Sequence, residues 1–321
     1  VALSHRANRR NHYFAVPRRG NFLTAVCTHP GAGRLPLTMQ GQSRTTRHKE
    51  IRFESILKRN VIATSKIRRK WAEPHYIHID LNCGSGWNED HQVAGSPVVF
   101  WDIVKEMETP WMAYFVDNDA SCIKSLLSRI PDRDRCTFFN GSNQSFLTQM
   151  VPNLLSSMDF HKVYGSVLSD PNGPHHPVDE LAHFSTLFPR VDIILSWSGT
   201  QYKRCAKSFE ATGQEVNPYR NALEKARKRI SKTRWQISTP LGPDQWTVIY
   251  AANYRLDGHK AIGLYDVDSP EGQECLEKLC KTAEERANTR VTGNTLDLPN
   301  FRLPKDPRSK HPAEDASAEL L

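Results

Sequence analysis

The stretch HIDLNCGSGW, residues His78–Trp87, decides how this chain is read. A short apolar run ends in an acid, Asp80, and then turns through two closely spaced glycines, Gly84 and Gly86. The run is consistent with a buried strand, and glycines beyond it supply either a tight turn or a place where backbone comes close to a ligand. The spacing alone leaves both readings open. The downstream sequence separates them.

Beyond this turn, apolar runs alternate with helical segments. YIHIDL, WMAYFVD, CTFFNG, YGSVLSD and VDIILSW read as strands; SPVVFWDIVKEM, ASCIKSLLSRI, SFLTQMVPNLLSSM and PVDELAHFSTLF read as helices. Strands separated by helices of about 10 to 15 residues imply right-handed βαβ units and a mainly parallel sheet. Two further runs, RWQISTP and WTVIYAANY, are joined by LGPD and predict an antiparallel hairpin closing the sheet. The expectation is a doubly wound, Rossmann-like α/β domain with a mainly parallel seven-stranded sheet over residues 73–285, carrying a basic helical insertion at 203–234. In such a sheet ligands bind beyond the carboxyl ends of the strands, so the turn at Gly84 and Gly86 lines a site by geometry.

Charge is unevenly distributed. Residues 1–70 carry 16 Lys and Arg against Glu50 and Glu54, a net of +14, whereas the remainder has 27 basic against 33 acidic residues, a net of −6. Residues 1–49 contain no acid and no sustained period, and are expected to be disordered. They resemble an organellar transit peptide in composition, but the chain starts at Val1 and its first methionine is Met39, so translated upstream sequence explains them equally well. Residues 50–72 predict a basic amphipathic helical lead-in with Ile51, Ile56 and Leu57 near one face; residues 286–321, rich in proline, predict a disordered tail. Lys58, Arg59, Lys66, Arg68, Arg69 and Lys70 on that helix, Lys203 and Arg204 after the fifth strand, and Lys225, Arg227, Lys228 and Arg229 on a later helix are candidate contacts to nucleic-acid phosphates.

Seven cysteines without a C-x-x-C pair suggest neither a disulfide framework nor a zinc knuckle, and a reducing cytoplasm is the default. No run approaches the roughly 18 apolar residues of a membrane span, so no membrane partner is expected. His175 and His176 are adjacent loop histidines expected to face solvent, and no metal site is expected. There is no Walker loop, no H-E-x-x-H, no G-x-S-x-G elbow, no Pro-Cys dipeptide and no G-x-G-x-x-G.

The segment IHIDLNCGSG has a form that resembles the first motif of class I methyltransferases using S-adenosylmethionine, with Asn82 in place of the first glycine. The resemblance implies that Asp80, Asn82, Gly84 and Gly86 cradle the cofactor, that Asp117 at the end of AYFVDND accepts from a ribose diol, and that Ser142 and Asn143 in FFNGSNQSF lie at the adenine. Residue types alone also allow Asp117 to cap the next helix, although Asp119 is better placed for that. In SDPNGP, Asp170 and Pro171 match the place where amino-methylating nucleic-acid methyltransferases hold Asp/Asn-Pro-Pro-aromatic, with Asn172 and Gly173 in place of Pro and the aromatic. There the catalytic group positions the target amine rather than acting as acid or base. Trp197 and Tyr202 lie near the same edge and could stack a flipped base.

Taken in order, YIHIDLNCGSGW, GSP, AYFVDND, FFNGSNQ, SDPNGP and RWQISTPLGPDQWTVIYAAN resemble the three-Cys-motif partner protein family, over about residues 50–285. That likeness implies a methyltransferase fold encoded alongside nucleic-acid-processing or mobile-element functions, with a possible protein partner encoded nearby. The resulting expectation is an S-adenosylmethionine-dependent methyltransferase acting on nucleic acid at an exocyclic amine. The alternative is a methyltransferase-like module that has lost turnover and recruits nucleic acid or protein.

Overall fold

The computed structural model describes residues 46–70, 75–105, 110–157, 159–171, 173, 175–199, 218–241, 246–254 and 258–280. The segments 1–45 and 281–321, as well as Asn172, Tyr202, Lys203 and Arg204, lie outside the described residues.

Eight strands form one sheet: β1 (His75–Asp80), β2 (Trp111–Asp117), β3 (Cys136–Asn140), β4 (Val163–Ser169), β5 (Val191–Ser198), β6 (Arg234–Ser238), β7 (Trp246–Ala252) and β8 (Leu264–Asp266). Their order is β8-β6-β7-β5-β4-β1-β2-β3. β1 pairs in parallel with both β2 and β4, β2 with β3, and β4 with β5, while β7 runs antiparallel to β5 and to β6. This is the doubly wound, mainly parallel arrangement that the alternation implied, with the terminal hairpin in place. It has one strand more than expected. β8 is three residues long and pairs with β6, so nothing in its length sets it apart from a loop in sequence.

Two apolar cores flank the sheet. Along β1, Ile77 and Ile79 face one and Tyr76 the other, as the two-residue period of a strand buried on both faces requires. The first core is covered by α4 (Asn143–Ser157), α5 (Val178–Leu187), α6 (Pro218–Arg229) and α7 (Pro270–Cys280) through residues such as Phe146, Phe184, Leu223 and Leu276. The second is covered by α1 (Thr46–Lys70), α2 (Ser96–Val104) and α3 (Ala120–Arg129) through Phe53, Ile56, Phe100 and Leu126.

The helix expected as a lead-in is therefore part of the domain. Phe53, Ile56, Leu57 and Val61 recur at helical spacing, and all four are buried. Each contributes about 1.5–3 kcal/mol relative to an exposed position. Likewise α6, within the basic segment at 203–234, buries Tyr219, Leu223 and Ala226 against the opposite face.

A buried polar network fixes α1 on the sheet. Asn60 Nδ2 donates to Asp192 Oδ2 (2.7 Å), and the Tyr76 hydroxyl donates to Asn60 Oδ1 (2.7 Å). The Tyr250 hydroxyl also donates to Asp192, and Ser166 Oγ lies 3.2 Å from the Tyr76 hydroxyl and 2.9 Å from His78 Nδ1. Burial pushes the Asp192 carboxyl up to about 7, against the lowering effect of these donors and of Lys232. Replacing Asn60 with Ala strips partners from two buried groups, and the expected cost is about 1–3 kcal/mol. It is read as a lower urea midpoint at unchanged slope; an unchanged midpoint contradicts the network.

Candidate functional site

The chain leaves β1 for β2 on one side and returns to β4 on the other, so the sheet order reverses between β1 and β4. The crevice at such a point is where doubly wound sheets bind ligands. Residues from both strand ends meet there.

The turn after β1 is held by two carboxylates. Asp117, at the end of β2, accepts from Gly84 N through Oδ2 (2.9 Å) and from Asp119 N through Oδ1 (2.8 Å). Asp80 is fully buried; its Oδ1 accepts from Asn82 N (3.2 Å) and its Oδ2 from the Ser96 hydroxyl (2.7 Å). Asp80 thus ties the turn to the first residue of α2, whose Gly-Ser-Pro start gives Ser96 this position. Burial is the main cause that drives the Asp80 carboxyl up to about 7; the Ser96 and Asn82 donors oppose it, and the charges of Asp170 and Asp117 add to it.

The two glycines differ in what they permit. Gly86 has φ +75°, and a Cβ there would lie 2.5 Å from Leu126 Cδ1, so its hydrogen is required by the packing of α3. Gly84 has φ +58°, and a Cβ there would meet nothing within 4 Å. Its outer face is open, next to the Asp117 carboxylate. Each oxygen of that carboxylate retains accepting capacity beyond the backbone N–H it already holds. An open turn bordered by an acid at the end of the second strand fits the adenosyl and ribose portions of S-adenosylmethionine.

Asn82 joins this turn to the second half of the crevice. Its Oδ1 accepts from Asp170 N (3.2 Å), just beyond β4. The Asp170 carboxylate is ion-paired with Lys49, from the first turn of α1. The neighbouring Glu50 carboxyl is raised to about 8, chiefly by burial and further by the charges of Asp170 and Asp80, with Lys49 acting to lower it. Lys49 and Glu50 were missed in the sequence because they stand at the end of an acid-free basic tract.

Behind Asp170, Ser169 Oγ lies 2.9 Å from His176 Nδ1, and the His176 ring stacks on Trp197 with centroids 5.4 Å apart and planes at 7°. Burial lowers the His176 imidazole to about 4. His175 is exposed, as expected of a loop histidine, but His176 faces inward and braces the end of β4. Trp197, a candidate for stacking a base, is 1% exposed and belongs to the core.

At the residues expected to lie near adenine, the Ser142 hydroxyl accepts from Ser145 N (3.0 Å) and lies 2.7 Å from Ser145 Oγ, which makes it the cap of α4. Asn143 is half-buried beside it. Asp119 accepts from Ser121 N and caps α3, which leaves Asp117 to the turn.

The basic candidates divide by location. Lys58 pairs with Glu54 (2.5 Å), Arg227 with Asp268 (2.6 Å) and Arg229 with Asp179 (2.9 Å), while Lys66, Lys225 and Lys228 are exposed. Arg59 lies against Gly258. The backbones of Arg68, Arg69 and Lys70 complete α1. Since α1 and α6 cover opposite faces of the sheet, their cations do not form one patch.

No protein-family model matches the chain. No curated protein matches it either. Among solved structures it is similar to a Legionella pneumophila protein (TM-score 0.43, 12% identity, 65% of this chain and 88% of the other). It is also similar to Aeropyrum pernix fibrillarin in complex with natively bound S-adenosyl-L-methionine (0.35, 14%, 60% and 76%), and to the METTL16 methyltransferase domain (0.38, 11%, 69% and 73%).

The folded Asp80 carboxyl keeps its proton up to about 7, whereas an unfolded one releases it near pH 3.9, so ionising it costs stability that mounts as pH rises between these values. Asp80→Asn removes that cost. Its melting temperature relative to the unmodified chain is expected to climb between pH 4 and pH 7 and level off above; a difference independent of pH contradicts the buried carboxyl.

Proposed function

We propose that this chain is an S-adenosylmethionine-dependent methyltransferase whose acceptor is an amino group held at Asp170, with nucleic acid as the substrate class. The observation that carries the reading is the hydrogen-bonded connection from the open turn at Gly84, held by Asp117, through Asn82 to the backbone of Asp170. A cradle for the cofactor and an acceptor for an amine sit side by side across the reversal of the sheet.

When bound, S-adenosylmethionine supplies an electrophilic methyl group on a sulfonium that leaves readily. The residues of the chain then need to position rather than activate. Gly84 lets its backbone approach the cofactor, and Asp117 presents carboxylate oxygens to hydroxyl donors. Asp80, beneath the turn, keeps it in shape through Ser96 and Asn82. Asp170 accepts hydrogen bonds from the target amine and so aims its lone pair, and Pro171 restricts the turn after it.

Nucleic acid as substrate is supported by the basic N-terminal part of the sequence and by the exposed Lys66, Lys225 and Lys228. The order of motifs supports kinship with three-Cys-motif partner proteins, and with it a protein partner encoded nearby. Binding through phosphate contacts falls linearly in log affinity with log salt.

Calorimetric titration with S-adenosylmethionine is expected to show one site, weakened at least about tenfold, or ~1.4 kcal/mol, by Asp117→Ala. Labelled methyl transfer to total DNA, tRNA, rRNA and protein is expected to mark a nucleic acid, and to fall about 100-fold or more in Asp170→Ala with cofactor affinity within about twofold. No heat on titration removes the enzyme reading. Cofactor binding without transfer to any acceptor favours the recruiting module.

A further inference from the structure

The acceptor position at Asp170 holds a primary amine belonging to the chain itself. Lys49 Nζ is ion-paired with Asp170 Oδ2, and both side chains are only 20% exposed. The same ammonium lies 5.8 Å from the ring centroid of Phe53 and 5.7 Å from that of Trp246. Those two rings meet edge to face at 5.7 Å and are buried. One carboxylate and two aromatic rings therefore surround an alkylammonium, a combination that favours such a cation through charge and ring quadrupole together.

A structural ion pair explains part of this arrangement, and Glu50 goes beyond it. Its Oε2 is buried and has no hydrogen-bond partner among the described residues. It feels the charges of both Asp170 and Asp80, which raise its pKa, and that of Lys49, which lowers it. A buried, unpartnered carboxyl oxygen costs stability, and here it belongs to the residue that follows Lys49 and feels its charge.

We propose that Lys49 is a methylation site of this protein, modified by its own active site. The inference rests on the reading given under Proposed function, because it uses Asp170 as the seat of the accepting amine. In the step, above about pH 8 where the Glu50 carboxyl is ionised, the Lys49 ammonium first gives a proton to the Glu50 carboxylate. The freed lone pair forms a bond to the methyl carbon as the bond from that carbon to the sulfonium sulfur breaks. The bonding electron pair stays on sulfur, which becomes a thioether, and Lys49 becomes a secondary ammonium. Charge on the side chain is conserved, so methylated Lys49 still pairs with Asp170. The first turn of α1 would then have to withdraw for an external amine to reach the same carboxylate.

The test uses the full chain and has two readouts. Without cofactor, brief acetic anhydride labelling followed by peptide mass spectrometry is expected to modify Lys49 at least about tenfold more slowly than exposed Lys228, with Asp170→Asn bringing the two rates together. With S-adenosylmethionine, peptide mapping is expected to find one added methyl on Lys49, absent in Lys49→Arg and slowed at least about tenfold in Glu50→Gln. Labelling of Lys49 as fast as Lys228 overturns the seat. Cofactor binding by calorimetry with no methyl on Lys49 overturns the modification while leaving the proposed function standing. No cofactor binding removes that function and this inference with it.

Discussion

The clamp that two carboxylates place on the turn after β1 is the constraint on which the rest of the site depends. Asp117 reaches across from the neighbouring strand to the Gly84 amide, and Asp80 holds the other side of the turn to Ser96 at the start of α2. Parallel pairing of β1 with β2 sets Asp80 and Asp117 at adjacent strand ends, where both can act on one short loop. Burying Asp80 there carries a cost, visible in its raised pKa, and the hydrogen bonds it accepts offset part of it. The outer face of Gly84 is left open as a result.

The same logic of strand ends brings Asp170 into the site. β4 pairs with β1 on the side opposite β2, so its end faces the turn, and Asn82 fastens the two together. A glycine at position 82 would lack the oxygen that accepts from the Asp170 amide. Asn82 therefore has a structural role: it couples the turn after β1 to the turn after β4. α1 completes the crevice from above, held down along its length by four buried apolar side chains and by the network through Asn60.

Much of the fold was legible because its signals are local. Five apolar runs separated by helical segments dictate a parallel sheet, and LGPD between two more runs dictates the hairpin. Asp119, rather than Asp117, capping α3 followed from the position of Ala120. What stayed hidden depends on distant packing. β8 is too short to carry a period, and it exists because β6 offers it an edge. Trp197 looked available at a strand end, but His176 covers it. α1 and α6 read as basic appendages because their charged residues outnumber their apolar ones, yet each buries a stripe in a different core. Lys49 and Glu50 reach Asp170 only because the helix begins above the strand ends, a placement no sequence spacing encodes.

The central claim is that the crevice between β1 and β4 holds an adenosyl cofactor. A crystal structure of the chain grown with S-adenosylhomocysteine tests it most directly. The account predicts the nucleoside over Gly84, with its ribose hydroxyls on the Asp117 carboxylate and its sulfur on the side of the turn facing Asp170. A crevice without the nucleoside at saturating ligand, or a nucleoside bound elsewhere on the molecule, would contradict it.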